Sequence, residues 1–146
     1  MNAIDIYRLG NWCYKRKIPF VPKISWILNF LVFNSHIPYS ATIGKNTKFA
    51  YGGIACVIHN RAIIGANCII GSNVTIGGKS RKIGVPIIGD NVYLSTGSKI
   101  LGDVKIGNGV MVGANAVVVK DIPDRCVVAG VPAKIIKENI NIQDYI

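Results

Sequence analysis

A parallel β-solenoid of hexapeptide repeats, led by a short N-terminal helical segment, is the fold this sequence predicts, and three observations predict it. Ile58, Ile64, Ile70 and Ile76 recur every six residues, and the same phase resumes after Lys82 through Ile88, Leu94, Ile100, Ile106, Val112 and Val118. A small or branched residue sits four places after each aliphatic, at Cys68, Val74, Val92, Ser98, Val104, Val110, Ala116 and Ile122. Gly follows the aliphatic at Gly65, Gly71, Gly89, Gly107 and Gly113, where a turn is needed. An α-helix cannot use a period of six, because about 3.6 residues per turn would scatter these positions around its surface.

Residues 1–37 are expected to form a helical cap. Ile4, Ile6, Tyr7, Leu9, Trp12 and Tyr14 have helix-compatible spacing and suit one or two helices laid over the first coil. The apolar stretch from Ile24 to Phe33, broken by Ser25 and Asn29, falls short of the roughly 20 residues that span a bilayer. It reads as a core or interface helix, or at most one that lies on a membrane surface.

Residues 38–132 are expected to form the solenoid. Short strands end in turns that contain Gly or Asn, three hexads close one triangular coil, and each coil hydrogen-bonds to its neighbours. Between Ala41 and about Ile122 there is room for four to five coils. The phase breaks between Phe49 and Ile58, which predicts a small looped-out excursion. Residues 133–146 form a C-terminal tail that covers the last coil, whose open sheet edges need a partner.

Length and composition fit one folded domain: 146 residues, 50% hydrophobic and 16% charged. The formal net charge is +10, and no Asp or Glu lies between Asp5 and Asp90, a stretch that holds eleven Lys or Arg. Such a basic face attracts a phosphorylated cofactor, an anionic sugar or a membrane surface. Nucleic acid is not an expected partner, because the basic residues carry no recognised motif and no aromatic platform. Cys13, Cys56, Cys68 and Cys126 form no CxxC pair, so they are read as reduced thiols in a cytoplasmic protein, and no metal site is expected.

The run of hexads, the segment Val74-Thr75-Ile76-Gly77-Gly78 and the closing Ala129-Gly130-Val131-Pro132-Ala133-Lys134 resemble the serine acetyltransferase-like branch of the hexapeptide-repeat acyltransferases, over roughly residues 38–137. The resemblance implies a left-handed parallel β-helix and a homotrimer with active sites in clefts between subunits. It also implies acetyl-CoA as co-substrate. Gly77 and Gly78, Thr96, and Ala114 are the implied contacts of the pantetheine arm, with Lys134 as the partner of a CoA phosphate. For each glycine the alternative is a plain hexad turn.

Acetyl transfer to a hydroxyl needs a base for the attacking oxygen and a donor for the oxyanion. The chain has two histidines. His36 precedes the first hexad, in a connector, and is assigned a structural or solvent role. His59 follows Ile58 at a coil corner and is the candidate base, with a backbone N–H near Gly77 or Gly78 as the oxyanion donor. The alternative is a histidine that only braces its corner.

The chain departs from the serine acetyltransferase pattern in three places. The Asp-His-Ala-Thr segment is absent, and matching backward from Thr75-Ile76-Gly77-Gly78 puts the family histidine near Gly53. No aspartate lies one coil earlier, and Val85 stands where a second histidine would fall. These losses, with Lys79, Arg81 and Lys82 nearby, point to a sugar acceptor. The expected function is a sugar O-acetyltransferase of surface-polysaccharide biosynthesis, with peripheral membrane association compatible. Serine O-acetylation, N-acetylation of an amino sugar and a non-catalytic scaffold are the alternatives. A carbonic anhydrase of this fold is excluded, because its zinc needs three histidines.

Overall fold

The computed structural model describes residues 1–146. Helices α1 (Ala3–Lys15) and α2 (Val21–Phe33) precede four coils of three short strands each. Coil one is β1 (Thr42–Ile43), β2 (Lys48–Phe49) and β3 (Val57–Ile58), and coil two is β4 (Ile63–Ile64), β5 (Ile69–Ile70) and β6 (Thr75–Gly77). Coil three is β7 (Ile87–Ile88), β8 (Tyr93–Leu94) and β9 (Lys99–Leu101), and coil four is β10 (Lys105–Ile106), β11 (Met111–Val112) and β12 (Val117–Val118). A fifth coil begins at Ile122, which bridges Ile106, and continues into β13 (Val127–Ala129). The expected number of coils and the expected hexad phase are both found.

Every third strand stacks in parallel, giving sheet one in the order β1-β4-β7-β10 and sheet three as β12-β9-β6-β3. Sheet two contains β2, β5, β8, β11 and β13, and is closed by β14 (Lys134–Lys137), which pairs antiparallel with β13. Residues 133–146 thus fold back on the molecule, and Ile140 and Ile142 bury against Val127.

The six-residue period places every repeated aliphatic inside the triangle. Ile58, Ile76, Ile100 and Val118 stack along sheet three, each no more than 1% exposed. The residues four places on fill the corners, where little room remains; Cys68, Val74 and Ala116 are fully buried there. Cys56 and Cys68 donate to the Gly71 and Gly89 carbonyls, and burial raises both thiols above their ordinary value of 9.0. They serve as small core residues.

Two tight features hold the corners. Asn67, Asn91 and Asn115 adopt φ near +56, +55 and +56, the left-handed region that Asn tolerates better than a branched residue. At the corner that holds Asn67 and Asn91, side-chain acceptors also cap backbone donors of the preceding coil. Asp90 Oδ1 accepts from Ala66 N–H, Asn108 Oδ1 from Asp90 N–H and Asp124 Oδ1 from Asn108 N–H, each at 2.7 Å.

The helical cap closes the edge of coil one. Asn2 caps α1 by accepting from Ile4 N–H and also donates to Phe49 O at 2.8 Å. Tyr7 Oη donates to Ala41 O at 2.5 Å, and burial pushes its phenol up to about 12. The two helices touch where Gly10 meets Ser25, so closely that a Cβ at Gly10 would collide with the serine. No helix is long and apolar enough to cross a membrane.

The period is interrupted twice. A 3-10 turn over Ala50–Gly53 supplies the excursion expected between Phe49 and Ile58. A second loop leaves the coil after Gly77 and returns at Ile87. Because Ile76 and Ile88, inward residues of the consecutive strands β6 and β7, lie twelve residues apart along the chain, this loop preserves the hexad phase and hides in the sequence.

Candidate active site

The strands that flank the two interruptions, β3 and β6, border one cleft, of about 690 Å³, between α2, the connector that leaves it, and the edge of sheet three. Trp26, His36, Tyr39, His59 and Gly77 are among its walls, and no Asp or Glu lines it.

His36 belongs here, although the sequence assigns it a structural or solvent role in a connector. It extends sheet three as an isolated parallel bridge to Val57, donating its N–H to Cys56 O and accepting from Ile58 N–H, both at 2.8 Å. The signal was present in the sequence: run back from Ile43, the hexad phase falls on Ile37, which is 1% exposed. His36 therefore precedes an inward residue and points outward. Its ring meets Trp26 edge-on, with centroids 5.6 Å apart. Its Nδ1 lies 3.4 Å from Ile58 O, which can only accept. The neutral ring then carries its proton on Nδ1 and leaves the Nε2 lone pair free.

His59 has the opposite polarity. Its Nδ1 accepts the Arg61 backbone N–H at 3.1 Å, so the proton of the neutral ring is on Nε2. Desolvation lowers its pKa below the ordinary 6.5, with the charges of Arg61 and His36 acting the same way. The half-buried ring is thus held neutral, with an N–H to offer.

Gly77 and Gly78 follow on the neighbouring coil, where His59 N–H donates to Ile76 O at 2.8 Å. Most corner glycines are required by their own chain: a Cβ on Gly65 would collide with the Gly89 backbone, and one on Gly71 would lie 2.5 Å from Thr96 N. Gly77 and Gly78 are not so required. A Cβ on Gly77 would meet nothing closer than Leu101 Cδ2 at 3.6 Å, and one on Gly78 would meet Val85 Cγ1 at 3.5 Å and His59 Cδ2 at 3.6 Å. Neither has a positive φ. Their missing side chains leave bare backbone beside an imidazole, the feature a narrow ligand needs in order to approach closely.

The second loop covers this point, and Arg61 Nη2 ties it down by donating to Ile83 O at 2.7 Å. Val85, where the resemblance puts a second histidine, faces Gly78 and His59. Gly53, near which the resemblance puts the family histidine, is buried beside Ala3 and Phe49. Below the loop a groove of about 450 Å³ runs past Gly78, Lys79, Leu101 and Gly102.

Thr96, Ala114 and Lys134 lie elsewhere. Thr96 and Ala114 precede β9 and β12, so they stand at the far edge of sheet three from Gly77 and Gly78, about 15 Å away at strand rise. They form one column: Asn115 N–H donates to Thr96 O at 3.0 Å, and Ala133 N–H, next to Lys134, donates to Val117 O at 2.8 Å. All three residues are exposed. A single chain therefore carries these two groups of residues on opposite edges of one sheet.

Comparison with known proteins shows what the chain is similar to. Residues 86–120 match the family model described as bacterial transferase hexapeptide (six repeats). The serine acetyltransferase of Synechococcus elongatus is 34% identical over 137 residues, 92% of this chain and 56% of the relative, and that of Bacillus subtilis is 33% identical over 141 residues, 95% and 64%. Among solved structures, the Brucella abortus serine acetyltransferase in complex with coenzyme A superimposes with a TM-score of 0.88 at 30% identity, over 95% of this chain and 56% of that one. The soybean enzyme complexed with serine gives 0.83 at 34%, over 92% and 56%. The chain is a hexapeptide-repeat protein related to the serine acetyltransferases. This hexapeptide-repeat protein spans about 56% to 64% of the length of the relatives just named. Nothing in these comparisons singles out the surface-polysaccharide branch expected from sequence.

Proposed function

We propose that this protein is an acetyl-CoA-dependent O-acetyltransferase whose complete site is assembled from two copies of the chain. The observation that carries the reading is the pair Gly77–Gly78, bare backbone with no structural need for glycine, set beside a neutral histidine. The pantetheine arm would run along Gly77 and Gly78 of one subunit and past Thr96, Ala114 and Lys134 of the next. Separation of the two half-sites within one chain supports such a shared groove, and the homotrimer expected from the resemblance supplies one.

The acceptor oxygen attacks the thioester carbonyl carbon while a base removes its proton. The C–O bond forms, the C–S bond breaks, and CoA leaves as the thiol after taking that proton. His59 was the candidate base, but with its Nδ1 occupied by Arg61 N–H it offers a donor at Nε2. We assign it to the developing oxyanion, where one donor contributes about 10²–10³ in kcat. Proton transfer falls to His36, whose Nε2 lone pair is free.

Serine is the first acceptor to consider, since the matching relatives are serine acetyltransferases and the soybean structure is named as a serine complex. A sugar hydroxyl is the second reading, and one observation favours it. No carboxylate lines the cleft to pair with an amino-acid ammonium, whereas Trp26 and Tyr39 offer aromatic faces and Lys23 a positive charge for an acidic sugar.

Thiol release from acetyl-CoA, measured against serine, sialic acid, neutral sugars and amino sugars, tests the proposal. Release with a hydroxyl acceptor supports it and names the class. Preference for an amine overturns the O-transfer assignment, and silence across the panel without CoA binding overturns the enzyme reading.

A further inference from the structure

The outer face of α2 is built the wrong way round for a helix in water. Its inward residues include Ser25 and Asn29, 4% and 1% exposed, and its outward residues are Ile24, Ile27, Leu28, Phe30 and Leu31. The arrangement follows from contacts with α1. Ser25 must be small to meet Gly10, and Asn29 donates to Ala3 O at 3.1 Å. Ile24, Ile27 and Leu31 are spaced three and four apart, so they form one stripe on the side opposite this packing. Phe20, 79% exposed at the helix start, extends the stripe, and Leu31 is 71% exposed. A helix of 13 residues carries this stripe for about 20 Å.

Charge identifies the occupant. Around the turn between the helices stand Lys15, Arg16, Lys17 and Lys23, and no acidic residue occurs anywhere from position 6 to position 89. Arg16 lies 3.9 Å over the Trp12 ring, so an exposed indole and a guanidinium are presented together at the rim. A protein partner would have to supply both a long apolar groove and an acidic rim. An anionic bilayer supplies hydrocarbon flanked by negative head groups at every point.

We propose that α2 is an interfacial membrane anchor, lying flat with Phe20, Ile24, Ile27 and Leu31 in the acyl boundary of an anionic bilayer and with the basic turn among the head groups. At 13 residues it lies on the bilayer and does not cross it. The inference is independent of the chemistry assigned to the cleft. It would hold the mouth beside Trp26 and Lys23 near the membrane plane, where a lipid-linked or membrane-associated acceptor would be presented.

The experiment is flotation of the full chain with vesicles of phosphatidylcholine alone and with about one third phosphatidylglycerol, at low and high salt. The expected result is co-flotation with the anionic vesicles, weakened at high salt. Leu31→Glu and Ile27→Glu should each reduce the bound fraction at least tenfold. Lys15→Glu with Lys17→Glu, both exposed and outside the cleft, should do the same without touching the apolar stripe. Absence of flotation, or flotation indifferent to all of these changes, overturns the proposal. So does a loss of oligomeric state in Leu31→Glu, read by light scattering, since the face would then be covered by a second copy. Circular dichroism melts of each variant distinguish lost binding from lost folding.

Discussion

From Ile88 to Val118 the solenoid repeats every eighteen residues without interruption, whereas between Ile43 and Ile88 it is interrupted twice. The regular half carries neither histidine of the chain; His59 lies in the interrupted half and His36 on the strand edge just before it, and both are walls of one cleft. The difference is physical. A stacked coil uses its inward residues for the core and its backbone for neighbouring coils, so its chemical variety is restricted to corners and outward positions. An insertion costs the core nothing, because it leaves between strands, and it can place groups over a neighbouring strand edge. Here the second loop does this, held by Arg61 over Gly78.

The largest effect should come from the two histidines, and it tests whether the interrupted half performs the reaction. His36→Ala should lower kcat by about 10²–10⁴ with little change in the KM for acetyl-CoA. His59→Ala should cost about 10²–10³, and His59→Gln should recover part of that loss, because an amide can donate but cannot act as a base. If His59→Gln is as inactive as His59→Ala while His36→Ala is near normal, the roles are reversed and His59 is the base. Steady-state kinetics of the three variants decide it.

The glycines sharpen the same contrast. Gly65→Ala, in a corner where the chain needs glycine, should destabilise by about 1–3 kcal/mol, lowering Tm by about 4 to 12 °C. Gly78→Val should leave Tm nearly unchanged and raise the donor KM at least tenfold by filling the approach to bare backbone. Equal Tm losses would make Gly78 an ordinary hexad turn. Thermal melts and donor titrations give both numbers.

The shared groove can be broken by complementation. Thr96→Trp or Ala114→Trp should raise the donor KM from one edge of sheet three, and His59→Ala removes the donor group at the other. Mixed oligomers of the two inactive types should regain activity if the site spans two chains. Recovery no greater than the sum of the separate activities would confine the site to one chain.

How much of this was legible in sequence follows the same division. The hexad phase revealed the solenoid because each inward position has the same requirement, an aliphatic of limited size, repeated along the chain. The excursion at Ala50–Gly53 was legible because it broke the phase by three residues. The second loop was not, since it adds six and returns in phase. His36 was misplaced because the count began one strand too late, before Ile37 was recognised as part of the repeat. His59 was singled out as the candidate base, but its polarity depends on the Arg61 N–H two residues on, which a residue pattern does not contain. The apolar run of α2 was visible, and which side of it faced outward was not: that depended on Gly10 and Ser25 meeting across the helix pair.

The smallest effect concerns pH and separates the two histidines again. Desolvation, with Arg61 and His36 adding to it, lowers the His59 pKa below 6.5, so the folded protein releases this proton at lower pH than the unfolded chain does. Just below pH 6.5 the unfolded chain binds more protons, and stability must rise with pH there and fall on acidification. His59→Gln should flatten that slope. The rim position of the ring keeps the change modest, and chemical denaturation in steps from pH 7.5 to 5 would resolve it. Activity should follow a different group: the acid limb of kcat/KM reports protonation of the base, so it should survive in His59→Gln and change in His36→Gln. A limb that moves with His59 alone would return the proton transfer to that residue and leave His36 as a wall of the cleft.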